Sequence, residues 1–219
     1  QSHPVWQIGA VSTATPAKHT LHLRLQPLSA GDSETLLTNL LGMALPPKLG
    51  WRILGQSEGN PFYVEEIIRS LIAQGAIKCD PTTGEWRLME DVAEVAIPET
   101  LQNVLAARID RLDENVRHVL QMAAVIGRIF PQRLLAAIAG GVEDLDGYLQ
   151  TLMQQELIRL RTSEPEVEYI FKHALTQEAA YKGALRRQRQ VFHRRAAEAL
   201  EQLFPERVEE LLSLLAYHW

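Results

Sequence analysis

Residues 157–173 read LIRLRTSEPEVEYIFKH. Leu157 to Arg161 forms one strand. In the next, Val167, Tyr169 and Phe171 alternate with Glu166, Glu168 and Lys172, the period of two that a half-buried strand requires. His173 stands where the alternation stops and a helical pattern begins. The residues before this hairpin are helical. Leu101, Val104, Leu105, Ile109 and Leu112 recur at helical spacing after Ile97-Pro98-Glu99, and Val116, Val119, Leu120 and Ala123 follow, ending near Gly127. Pro131 opens a short helix through Leu134, Leu135 and Ile138, closed by Gly140-Gly141, and Leu145, Leu149 and Leu152 mark another. Several helices followed by a β-hairpin is the layout of a winged-helix domain, assigned here to residues 96–172.

On the N-terminal side, Ser29 with Asp32 offers a capping box before Leu36, Leu37, Leu40 and Leu41, with Gly42 as the stop. A short helix follows Pro46 and Pro47 and stops between Gly55 and Gly59. Asn60-Pro61 then starts a strong helix, an N-cap followed by proline at the first helical position. Its stripe is Val64, Ile67, Ile68, Leu71 and Ile72, and Gly75 closes it. A hairpin pairs Ala76–Cys79 with Glu85–Leu88. These elements make a small helical domain, residues 29–95. Further upstream, Leu21, Leu23 and Leu25 alternate with His22 and Arg24 as a lone strand without a visible partner. With a start at Gln1, this suggests a piece of a longer protein.

Beyond the hairpin, residues 173–219 are helical by pattern: Leu175–Leu185, a helix through Phe192, Ala196, Leu200 and Leu203, and a third from Pro205. Their spacing suggests the start of a TPR-like repeat array. The fold class is therefore mainly α, with small β-hairpins.

The 219 residues carry a formal net charge of −5, which gives no overall attraction to nucleic acid or anionic membrane. No apolar run reaches the roughly 20 residues of a membrane span. The single cysteine, Cys79, cannot form an internal disulfide, and a reducing, cytoplasmic setting is expected. There is no phosphate loop, nucleophile elbow, HExxH or CxxC. His19 and His22 lack a second ligand pair, so no metal site is expected. Lys182, Arg186, Arg187, Arg189, Arg194 and Arg195 form an acid-free stretch whose members scatter around the helix. The helix read as the recognition helix, Pro131–Ala139, has Arg133 as its one charge, and a base reader presents more polar or basic groups. Trp51, Trp86 and the methionines read as core or hairpin packing, and Glu65 and Glu66 as a solvent-facing turn.

Two segments stand out. In SEGNPFYVEE, residues 57–66, Gly59 permits close backbone approach and Pro61 presents a rigid ring without an N–H; an ordinary helix start also accounts for these residues. In YIFKHALTQE, residues 169–178, His173 can donate to a phosphate or cap the helix it precedes.

Taken together, GNPFYVEEIIRSL, IPETLQNVLAARIDRL, LQMAAVIGRIF and FKHALTQEAAY resemble, in order and spacing, the STAND class of AAA+-related ATPases. The resemblance covers nearly the whole chain. Its nearest look is to bacterial modules attached to adenylate or guanylate cyclases, kinases or LuxR-type regulators. It implies a nucleotide-binding domain upstream, whose last strand would lie in residues 1–28, and helical repeats downstream. It further implies that Gly59, Asn60 and Pro61 match the GxP position, whose proline packs on adenine. His173 is similar to the MHD histidine that touches the β-phosphate of ADP. Ala174 stands where the plant-type motif has aspartate, so that polar latch is missing. ADP or ATP, with Mg supplied through the upstream domain, is the implied cofactor of the whole protein, none being held tightly by this chain. The chain itself is not expected to be an enzyme, since it lacks the phosphate loop. Self-association is open. A DNA-binding or protein-binding winged-helix adaptor without a nucleotide role is the alternative.

Overall fold

The computed structural model describes residues 25–89, 95, 97–205, 216 and 218. These residues are mainly helical, with a two-stranded and a three-stranded antiparallel sheet. The strand expected at Leu21–Leu25 and the pair His19 and His22 lie outside them, except Leu25, which is in no strand and exposed. Most of the helix expected from Pro205 lies outside them as well.

The first half holds α1 (Ala30–Leu41), α2 (Pro47–Ser57), α3 (Pro61–Ala73), the hairpin β1 (Ile77–Cys79) and β2 (Trp86–Leu88), and α4 (Leu101–Asp110). Local chemistry sets most of these ends. Ser29 Oγ accepts from the Asp32 N–H, and Gly42 closes α1 in the left-handed region at φ 63°. Helix α2 runs through Gly55 to Ser57 and stops at Glu58, φ 49°, within the expected span from Gly55 to Gly59. Thr100 caps α4 by accepting from the Asn103 N–H. One core collects Leu37, Leu41, Leu49, Ile53, Val64, Ile67, Leu71 and Ile77, and the first two turns of α4 complete it with Leu101, Val104 and Leu105. Trp86 packs on this core from the hairpin, whereas Trp51 is 76% exposed, contrary to its reading as core.

The second half runs α5 (Glu114–Ile126), β3 (Ile129–Pro131), α6 (Gln132–Ala139), α7 (Leu145–Gln154), β4 (Ile158–Thr162) and β5 (Glu168–Phe171). The sheet order is β3-β5-β4, with Ile129 opposite Ile170 and Ile158 opposite Phe171. One strand ahead of two helices, paired to the last strand of the hairpin, is winged-helix topology. The sequence reading missed β3, because three residues are too short to display a period of two. That omission also misplaced the recognition helix. The helix directly before the wing is α7, not α6.

Helices α8 (Ala174–Gly183) and α9 (Arg186–Leu203) follow. Both belong to the winged-helix core: Ala180, Phe192, Ala196 and Leu200 are buried in one cluster with Leu120, Phe130, Leu135 and Phe171. Helix α8 also reaches the first core through Leu175 and Ala179. Arg195 donates to the Ile138 carbonyl at 3.4 Å, tying α9 to α6.

Candidate functional site

Helix α3 has two working stripes. Val64, Ile67, Ile68 and Leu71 face the first core. Phe62, Glu66 and Arg69 recur at four- and three-residue spacing on the other side, and all three meet groups on α4 or the winged half. The Phe62 ring stacks on the His173 imidazole, with centroids 3.6 Å apart and planes 19° from parallel. The segments 57–66 and 169–178, more than a hundred residues apart, therefore meet at the N-terminus of α3.

Each residue singled out from the sequence has a definite place there. Gly59 adopts φ 75°, and a Cβ at this position would collide with the Leu28 carbonyl oxygen and lie 3.0 Å from the Leu28 nitrogen. The Leu28 N–H donates to the Gly59 carbonyl at 2.8 Å. The close backbone approach is made by the chain's own residues 27 and 28. Asn60 caps α3, its Oδ1 accepting from Phe62 N at 3.1 Å and Tyr63 N at 3.4 Å. Pro61 takes the first helical position and is exposed. His173 occupies the N-cap of α8, yet its side chain makes no capping hydrogen bond. Its ring goes to Phe62 instead, so capping does not account for the imidazole.

The surroundings of His173 are cationic. Burial pushes its pKa from 6.5 down to about 4, and Lys172, Arg128, Arg108 and Arg159 push in the same direction. The imidazole is neutral at pH 7 and keeps one N–H to donate. Strand register explains the convergence of three of these cations. Arg128 immediately precedes β3, Arg159 lies near the start of β4, and Lys172 follows β5, so antiparallel pairing brings all three to one end of the sheet. Phe171 N donates to the Arg128 carbonyl and Lys172 N to the Leu157 carbonyl, both at 3.0 Å.

Below the stack lies an ion-pair system. Glu66, read from the sequence as solvent-facing, is 2% exposed. Its Oε1 accepts from Arg108 Nη1 at 2.5 Å, with Arg69 Nε 3.8 Å away. Arg108 also donates to the Gln155 carbonyl, and Arg69 pairs with Glu156, whose carboxylate meets Lys172 Nζ at 3.3 Å. Glu156 holds φ 53°, a conformation costly for a side-chain-bearing residue. These contacts join α3 and α4 to the turn between α7 and β4.

The signal for Phe62, Glu66 and Arg69 was present as a heptad-like stripe, 62, 66, 69, but it reads as a surface face until the winged half is placed against it. Arg108, Arg128 and Arg159 had no local signal; they are scattered in sequence and gathered by sheet register and helix packing. Part of the basic stretch of α8 and α9 is engaged locally, while Arg186 and Arg187 are exposed. Lys182 pairs with Glu178, Arg194 with Glu198, and the Arg189 guanidinium lies 5.0 Å over the Tyr181 ring. Helix α7, the one before the wing, contains Asp146 and no lysine or arginine. Among the described residues, no helix is long and apolar enough to cross a membrane.

No protein-family model matches the chain. It is 29% identical over 206 residues to an uncharacterized protein of Rhizobium meliloti (strain 1021), which covers 92% of this chain. The chain spans 19% of the length of that relative.

Proposed function

We propose that the chain is the regulatory part of a nucleotide-dependent signalling switch of the STAND type. It helps hold ADP and relays the bound state to an output domain such as a nucleotide cyclase or a transcription regulator. The observation that supports this reading is the Phe62–His173 stack. Pro61 and His173, which the family resemblance implies contact opposite ends of one nucleotide, belong to segments joined by that stack. A neutral N–H donor ringed by cations suits a phosphate. The remaining contacts, with Mg and the phosphate loop, would come from an upstream nucleotide-binding domain, making the whole protein a cytoplasmic ATPase in which helical repeats follow this chain.

In this reading ADP favours the arrangement in which α3 lies on the winged half, and exchange for ATP releases it. Such coupling requires contacts that differ between the two nucleotides. The DNA-binding alternative loses support from the absence of basic residues in α7.

The test is calorimetric ADP binding by a chain extended upstream, with and without His173→Ala. Loss of one hydrogen bond to a charged phosphate should weaken binding by about 1–3 kcal/mol. Equal affinity in the variant would remove the nucleotide role from His173.

A further inference from the structure

A cleft of about 360 Å³ opens where α3, α4 and the α7–β4 turn meet. Arg69, Arg108 and Arg111 line it on the polar side, with Glu66, and Ile72 and Leu112 are among its apolar walls. Pockets that take small organic ligands include ones of this size, and they favour the seams between structural units. This one lies at such a seam, because α3 and the first turns of α4 serve one core and the α7–β4 turn belongs to the other half.

The charge balance specifies the ligand. Glu66 pairs with Arg108 and lies near Arg69, and Glu156 is shared by Arg69 and Lys172. Arg111 is exposed, and its guanidinium makes no hydrogen bond or ion pair among the described residues. Arg111 is thus the guanidinium of the cleft that has no partner among the described residues, and it stands beside an apolar wall. A neutral apolar molecule would leave this guanidinium unused. A carboxylate matches the planar fork of a guanidinium in two parallel hydrogen bonds.

We propose that this cleft binds a small organic monocarboxylate, its carboxylate on Arg111 and its apolar body against Ile72 and Leu112. The bound acid bridges the helical half and the winged half and stabilises their contact. The site is separate from the nucleotide reading and does not depend on it.

The experiment is a calorimetric titration of the chain with 4-methylpentanoate, run beside its uncharged amide and repeated with Arg111→Ala. Arg111 is exposed, so the variant should fold. Saturable binding of the acid is expected, at least tenfold weaker for the amide and at least tenfold weaker in the variant, with a thermal midpoint that rises with the acid in the native chain alone. Absence of saturable heat at 20-fold molar excess over a roughly millimolar affinity would overturn the proposal. So would equal affinities for acid and amide, or for the native chain and the variant.

Discussion

The imidazole of His173 lies on the phenyl ring of Phe62 at 3.6 Å between centroids, and that stack joins the start of α3 to the strand–helix junction of the winged half. It withdraws from water the one titratable group that the sequence singles out. If burial is what depresses the histidine, removing the ring must release it. Phe62→Ala is expected to raise the His173 pKa from about 4 toward the ordinary 6.5. It should also cost about 1–2 kcal/mol of stability, the worth of an aromatic pair and some burial. Imidazole proton shifts followed by NMR against pH check the first. A pKa that stays near 4 would assign the depression to the four cations.

The same group makes stability depend on pH. A histidine with a folded pKa of about 4 and an unfolded value near 6.5 binds more protons unfolded than folded between those values. Its contribution is full above pH 6.5 and is lost as the pH falls toward 4. His218, also lowered to about 4, and His118 and His193, both lowered, act in the same direction. Urea midpoints measured from pH 7 to pH 4 should fall. His173→Gln should flatten part of that slope; an unchanged slope would mean the histidine titrates alike in both states.

Glu66 and Arg108 form a buried pair, at 3% and 15% side-chain exposure. Removing one partner strands the other. Glu66→Ala is expected to cost about 3–5 kcal/mol, whereas replacing both with methionine should fall within about 1–2 kcal/mol of the native chain. Chemical denaturation of the three proteins measures this. A double variant as unstable as the single one would show that the Arg108 contact to the Gln155 carbonyl matters more than the pair.

Gly59 tests whether its conformation serves the fold. Gly59→Ala meets both a φ of 75° and the Leu28 carbonyl, and should destabilise by about 1–3 kcal/mol or displace residues 27 and 28. Gly31→Ala, in an exposed turn of α1 with nothing within 4 Å of the new methyl, should stabilise by about 0.4–1 kcal/mol. Equal effects in urea titrations would mean that residues 27 and 28 do not constrain position 59.

Local chemistry alone determined the helices, their caps and the two hairpins. Ser29, Asn60-Pro61 and Gly42 act within one turn of themselves, and the alternation survives in β5 as buried Tyr169 and Phe171 against less buried Glu168 and Ile170. The pairing of β3, the identity of the helix before the wing and the stacking of His173 on Phe62 were decided only by the tertiary structure. A three-residue strand has no period of its own and exists because β5 offers it partners. Phe62, Glu66 and Arg69 look like a solvated stripe until a second unit covers them, and Glu66 is then buried against Arg108, 42 residues further along the chain. Backbone preference is a short-range property, whereas burial and charge pairing depend on what the rest of the chain brings alongside.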